Sequence, residues 1–348
     1  MERVFSGLLV FVPIAIGASY LGVAPVVVFF LAALAVVPLA KFIGEATEEL
    51  STHAGPALGG LLSVTFGNAT ELIIGFLALR AGYIEIVKAS ITGSIMSNLL
   101  LVLGLAMFAG GIKHPKQTFS RTGALASGSN LFVAAIALVM PAIFLISTPN
   151  APSGVVETMS IWVSYILLVV YAAGLYFVLH THKHLYLEEA GEFEPKASWR
   201  NALIKLIVAT LAVAWVSDIL VNSIQPVVAV LGWSQLFLGV VFLAIIGNAA
   251  ENFSSVLVAR KNRMDLSLQI AIGSASQIAM FVAPVLVLVG FLIGEPMNFI
   301  FSTFELIAIV LSVAIVNLIV ADGESNWLEG VQLMAAYAIM AAAFFFHP

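Results

Sequence analysis

The sequence predicts an all-α, polytopic membrane protein of about eleven transmembrane helices. Three observations predict it. The composition is too apolar for a water-soluble fold, apolar runs of bilayer length alternate with short polar breaks, and basic residues gather at alternate breaks. Of 348 residues, 61% are hydrophobic and 9% are charged, whereas a soluble domain carries roughly 25% charged residues. A chain of this length cannot bury so much apolar surface in itself, so lipid must solvate much of it. The net charge of −5 says less than the distribution of the charges. Cysteine is absent, which excludes disulfides, thiolate metal sites and cysteine nucleophiles. The apolar stretch after Arg3 lacks a small-residue cleavage site followed by a polar region, and reads as a retained first helix.

The apolar runs fall at 5–21, 25–44, 56–79, 83–110, 123–147, 155–179, 199–221, 234–259, 266–293, 299–320 and 327–346. Each is near the length of about 20 residues that crosses the hydrocarbon core. The breaks at Gly22–Ala24 and Asp322–Asn326 are very short. Basic residues orient the chain. With the N-terminus in the cytoplasm, Arg3, Lys41, Lys113, Lys116, Arg121, Lys183, Lys196, Arg200, Lys205, Arg260, Lys261 and Arg263 share the cytoplasmic side, and only Arg80 and Lys88 lie opposite. One missed helix would scramble this segregation. Tyr and Trp residues near span ends read as interfacial anchors.

The longest polar segment runs from His180 to Arg200. It carries His180, His182 and His184 at alternate positions, then Glu188, Glu189, Glu192 and Glu194. It reads as a solvated cytoplasmic linker between two halves, with a regulatory cation-binding segment as the sharper reading. A transition-metal site on the histidines is disfavoured, because alternate histidines on a loop are common without function.

An internal repeat appears at an offset of 180 residues. Gly67-Asn68-Ala69-Thr70-Glu71 matches Gly247-Asn248-Ala249-Ala250-Glu251, Arg80 matches Arg260, and Gly93-Ser94 matches Gly273-Ser274. The polar pair Ser97-Asn98 falls where Gln277-Ile278 stands. The motifs lie in the third and eighth expected spans, so the copies cross the membrane in opposite directions. Such inverted repeats are common in secondary transporters, whose substrate site lies near the midplane between the copies.

The motifs carry the chemistry. A carboxylate in mid-membrane is costly and calls for a cation or a proton to neutralise it. Glu71 and Glu251 stand there. Asn68 and Asn248 lie three residues earlier, a spacing that puts amide and carboxylate on one helix face. Ser94, Ser97 and Asn98 from one half, with Ser274 and Gln277 from the other, would complete an all-oxygen cage. Two carboxylates balance one divalent ion, and oxygen donors suit Ca²⁺, which takes 6–8 of them in flexible geometry. Gly67 and Gly247 weaken the helix beside each amide and permit close backbone approach to a ligand. Gly59, Gly60, Gly75 and Gly239 read as close-packing positions. Asp218 and Glu305 lie nearer span ends and read as interfacial or structural. Glu45, Glu48, Glu49 and His53 read as solvated boundary residues.

At these motifs the chain resembles the calcium/cation antiporter superfamily, and most closely its Ca²⁺/H⁺ exchanger branch. GNATE at 67–71 with GSIMSN at 93–98, and GNAAE at 247–251 with GSASQI at 273–278, carry the resemblance. It implies an extra N-terminal helix (1–23), a five-helix repeat (24–180), a cytoplasmic acidic linker (181–198) and a second, inverted five-helix repeat (199–348). It also implies that Glu71 and Glu251 are the essential cation-binding carboxylates, and that the acidic stretch Glu188 to Glu194 belongs to the exchanger branch. Sodium-exchanging relatives tend to have an acidic residue near the position of Ile278 and hydroxyl residues in place of Gly67-Asn68 and Gly247-Asn248, so the resemblance implies proton coupling here.

The expectation is therefore an antiporter in which Ca²⁺ and protons occupy the two glutamates in turn, with access alternating between the two sides. Burial favours a protonated carboxyl and an adjacent cation the ionised one, so one pair can serve both. A Na⁺/Ca²⁺ exchanger is the alternative on the same fold, and a cation channel a further one. No enzyme is expected, since no nucleophile elbow, zinc-helix motif or phosphate loop occurs. Ca²⁺ is substrate rather than cofactor. The expected surroundings are a lipid bilayer, with a prokaryotic cell membrane favoured by the short loops. Nothing points to nucleic acid, and a homo-oligomer is compatible with the sequence.

Overall fold

In the computed structural model, residues 2–150, 152, 154–181 and 198–347 are described. The chain runs through helices α1 (Phe5–Tyr20), α2 (Pro25–Gly67), α3 (Ala69–Arg80), α4 (Ile84–Gly111), α5 (Arg121–Ser147), α6 (Val155–Thr181), α7 (Trp199–Leu231), α8 (Gln235–Gly247), α9 (Ala249–Arg260), α10 (Met264–Ile293), α11 (Thr303–Ile319) and α12 (Trp327–Phe346). Two-residue strands β1 (Gln117–Thr118) and β2 (Glu324–Ser325) pair antiparallel.

Among the described residues, eight helices are long and apolar enough to cross a membrane, and α8 with α9, bent by 59° at their break, makes a ninth if the pair is counted as one span. The expected runs 5–21 and 56–79 correspond to the shorter apolar helix α1 and to the end of α2 with α3, which are not among these. The span expected at 25–44 is helical well beyond that limit, since α2 continues to Gly67. It is not straight. Ser51 Oγ lies 3.0 Å from Ser63 Oγ and donates to Gly59 O at 2.9 Å, whereas twelve residues of straight helix cover about 18 Å. The chain therefore turns back within this helix. A Cβ on Gly59 would stand 2.5 Å from Ser51 O, so only glycine permits the turn. The break expected between two spans is thus a helical fold-back rather than an open loop.

Buried residues belong overwhelmingly to one apolar cluster shared by both halves. Its centre is α4, whose Ile86, Ile95, Met96, Leu99, Leu100 and Leu103 are fully buried. Glycines set the close approaches. A Cβ on Gly93 would collide with Val240 backbone, one on Gly239 would stand 2.5 Å from Ala89 Cβ, and one on Gly75 would stand 2.7 Å from Leu286 Cδ1. Gly75 and Gly239 are thus packing positions, as their sequence context suggests. The apolar faces of α5, α6 and α7 are exposed, including Ile136, Trp162, Val169 and Leu211, as suits lipid-facing helices. Tyr20, Trp199 and Trp327 stand exposed at helix ends.

Polar clips tie the halves at the loops. Gln117 is buried and donates to Ala259 O at 2.8 Å and Asn262 Oδ1 at 3.1 Å. Ser120 N donates to Asp265 Oδ1 at 2.5 Å, and Lys116 pairs with Glu324. At the other end of α4, buried Lys88 donates to Ile300 O at 2.8 Å. Glu305 completes a capping box with Ser302 and accepts from Thr92 Oγ1 at 3.2 Å. It is a structural residue, as its place near a span end suggests. Asp218 is exposed and accepts from Asn222 at 3.1 Å. Glu45 pairs with Lys41, and Glu49 with Lys205.

Candidate cation-binding site

Both sequence motifs fall at helix breaks. α2 ends at Gly67 and α3 starts at Ala69, while α8 ends at Gly247 and α9 starts at Ala249. Asn68 and Asn248 are the residues at the breaks. The expected continuous helix is interrupted where glycine weakens it, which changes what the asparagines do. Each stands in the capping position of the next helix, yet neither side chain caps it. Asn68 Nδ2 instead donates to Gln277 Oε1 across the halves. Asn248 Nδ2 donates back to Ala244 O at 2.8 Å. Glu71 and Glu251 then sit in the first turns of α3 and α9, where the helix dipole favours negative charge.

α4 and α10 contribute the rest. Each contains a π-helical turn, Ser97–Val102 and Ile278–Val282, at matching places in the 180-residue repeat. Such turns are frequent at functional sites. Asn98 lies in the first. Its Nδ2 donates to Asn248 Oδ1 at 3.2 Å and to Ser274 Oγ at 2.9 Å. Ser274 Oγ donates in turn to Glu251 Oε2 at 2.5 Å. Asn98 thus positions Glu251 through Ser274 while holding the second break.

A Cβ on Gly247 would come within 3.3 Å of Glu71 Cγ and Oε1, so the first-half carboxylate packs on the second-half break. Ser94 and Glu71 line one small chamber. The structure therefore gathers Asn68, Glu71, Ser94, Ser97, Asn98, Asn248, Glu251, Ser274 and Gln277 in one region between the halves. Gly67 and Gly247 flank it.

The oxygens divide into two sets. Asn248 and Ser274 spend their polar atoms on neighbours, and Gln277 Oε1 accepts from Asn68. Among these site residues, four buried oxygens have no hydrogen-bond partner: Asn68 Oδ1, Glu71 Oε2, Ser97 Oγ and Asn98 Oδ1. An unpaired buried acceptor costs about 1–3 kcal/mol. These four oxygens lie on the broken helix α2–α3 and on α4, in the region between the halves. No cluster of three acidic, His or Cys side chains occurs among the described residues, so any cation here would rest on amides and hydroxyls as much as on carboxylates. Glu188, Glu189, Glu192 and Glu194, with His182 and His184, lie outside the described residues. His180 stacks on Tyr176. Sequence reasoning missed the π turns and the two helix breaks. Only Gly67 and Gly247 hinted at the latter.

Two broken helices, each carrying a carboxylate into an oxygen-lined interior between the halves of an apolar bundle, define a membrane protein of the ion-transporter class. Its family follows from comparison with known proteins. The chain belongs to the sodium/calcium exchanger protein family, whose profile matches residues 24–180 and 201–346. It is 45% identical to the Ca²⁺/H⁺ antiporter of Aphanothece halophytica, covering 100% of this chain and 97% of that one. It is 44% identical to the Ca²⁺/H⁺ antiporter ChaA of Bacillus subtilis, over 99% of each. Among solved structures, that of native YfkE superimposes with a TM-score of 0.87 at 40% identity, covering 99% of this chain and 100% of that chain.

Proposed function

We propose that the chain is a secondary antiporter that exchanges Ca²⁺ for protons by alternating access, with Glu71 and Glu251 holding either the cation or protons. The observation that carries this reading is the set of buried, partnerless oxygens on Asn68, Glu71, Ser97 and Asn98, with Glu71 packed against the helix break that precedes Glu251. The full-length similarity to Ca²⁺/H⁺ antiporters supports the choice of ions. Glu71, Glu251, Asn68, Asn98, Ser94 and Ser97 offer the ligand oxygens. Asn248, Ser274 and Gln277 hold them in place. Two carboxylates neutralise one Ca²⁺, and an oxygen-only donor set suits a hard cation. When the cation leaves, protons take its place, because two bare carboxylates in a low-dielectric interior repel each other and lack solvation.

The same reading places the N-terminus and the basic loops in the cytoplasm of a prokaryotic cell, with the membrane as its lipid partner. It makes 24–180 and 199–348 inverted five-helix repeats behind an extra N-terminal helix (1–23). The acidic residues of 181–198 form a cytoplasmic linker.

The test is ⁴⁵Ca²⁺ uptake into proteoliposomes under an imposed pH gradient. Wild-type protein takes up Ca²⁺ as protons leave, and Glu71→Gln and Glu251→Gln each abolish the uptake. Retained proton-driven uptake in either variant refutes the carboxylate assignment. Uptake driven by a Na⁺ gradient with pH clamped on both sides decides for Na⁺ coupling instead.

A further inference from the structure

The residue after Glu251 is a second asparagine, Asn252, and its Oδ1 is buried without a hydrogen-bond partner. Asn252 N donates to Asn248 O at 2.9 Å, so Asn252 stands one turn beyond Asn248 on the same face of α9. That face lies against α4. Asn248 Oδ1 accepts from Asn98 at 3.2 Å. Two turns past Asn252, Ala259 O accepts from Gln117 and would stand 3.0 Å from a Cβ on Gly110. Between Asn98 and Gly110, α4 carries no polar side chain, and Leu99, Val102, Leu103, Ala106 and Met107 are fully buried. The next hydroxyl on α9, Ser255 Oγ, is engaged by Ser267 Oγ at 2.8 Å. The protein therefore keeps an amide oxygen where its neighbours offer no donor. An unpartnered buried acceptor destabilises the fold, and such a group calls for a ligand or a reason. The repeat shows that the fold does not require it. At an offset of 180, Asn252 meets Leu72, which packs on the apolar core.

We propose that Asn252 is a further ligand for a hard divalent cation, extending the proposed site by one helical turn along α9 towards Arg260. A neutral amide oxygen suits such an ion, which takes six to eight oxygens in flexible geometry. The two halves then grip the cation unequally. The second half offers an oxygen on the far side of Glu251, and the first half offers the side chain of Leu72 in its place. The stability lost in the empty protein is recovered when the cation engages the amide.

This inference rests on the proposed cation site, and the experiment separates it from the exchange reading. Equilibrium ⁴⁵Ca²⁺ binding to the purified full chain in detergent needs no pH gradient and no transport. Asn252→Leu copies the residue of the first half. It weakens Ca²⁺ binding by roughly tenfold, while the midpoint of thermal unfolding without Ca²⁺ equals or exceeds that of wild type, because an orphan amide has been replaced by an apolar side chain. Asn252→Ala, which adds no bulk, weakens binding likewise. Asn252→Asp keeps an oxygen at the position and binds Ca²⁺ at least as tightly as wild type. A wild-type Kd in both Asn252→Leu and Asn252→Ala overturns the proposal. So does weaker binding accompanied by a lower unfolding midpoint without Ca²⁺ in both variants, which marks a merely structural role. Wild-type protein that binds Ca²⁺ but takes up none under a pH gradient refutes the exchange reading and leaves the ligand assignment to the binding data.

Discussion

The two motif glycines look equivalent in the sequence, yet the structure makes them unequal. Consider Gly247→Ala and its repeat partner Gly67→Ala. The new methyl at position 247 would stand 3.3 Å from Glu71 Cγ and Oε1 and 3.6 Å from Cδ. Comfortable carbon contacts lie near 3.5–4.0 Å, so the Glu71 side chain must retreat by a few tenths of an ångström. The methyl at position 67 would find only Gln277 Oε1, at 4.0 Å, an ordinary contact. Overpacking a well-filled interior costs about 1–3 kcal/mol, and here the strain falls on a proposed ligand. That cost corresponds to a rise of about 5- to 150-fold in the apparent KM for Ca²⁺. Gly67→Ala should stay close to wild type. The assay is the Ca²⁺ dependence of proton-driven ⁴⁵Ca²⁺ uptake, with thermal unfolding in detergent to check that both variants are folded. Equal KM values for the two variants, or a larger defect in Gly67→Ala, would refute the argument that Glu71 leans on the second-half break.

Other perturbations follow from the same geometry. Asn98→Ala removes two donated hydrogen bonds, each worth about 0.5–1.5 kcal/mol, and frees Ser274 from its orienting partner. Its KM for Ca²⁺ should rise roughly tenfold, and an unchanged KM would show that Asn98 holds nothing that matters. Glu305→Ala breaks a capping box and the contact with Thr92. It should lower stability by about 1–2 kcal/mol in thermal unfolding while leaving the KM for Ca²⁺ unchanged. If protons and Ca²⁺ compete for the same carboxylates, as proposed, acidifying the Ca²⁺-loading side should raise the apparent KM. A KM that is flat with pH on that side would separate the proton site from the cation site.

Much of this protein was legible in its sequence because bilayer physics leaves few choices. Apolar runs had to be helices, and the basic residues of the breaks fixed which runs to count. The repeat brought Glu71 and Glu251 into one argument, and Ser274 and Asn98 followed from their spacing. Other features left no local trace. A π turn is one extra residue in a helix, held by its neighbours, and nothing around Ser97 or Ile278 distinguishes it from an ordinary turn. The helix breaks were signalled only by Gly67 and Gly247. That the asparagines would ignore their capping positions depends on Gln277 and Asn98, far away in the chain. The fold-back in α2 depends on Ser51 meeting Ser63, and the hairpin-like pairing of β1 and β2 is too short to show a period of two.

The small ribbon of β1 and β2 has a practical corollary. Gln117 and Ser325 pair directly, and Lys116 and Glu324 close an exposed ion pair beside them. Segments more than two hundred residues apart must therefore emerge on the same surface of the bilayer. The chain contains no cysteine, so a thiol introduced at Lys116 and, separately, at Glu324 would be the sole target of a membrane-impermeant maleimide. One such tagging experiment on intact cells would give the sidedness of the whole molecule, and disagreement between the two positions would mean the ribbon does not form.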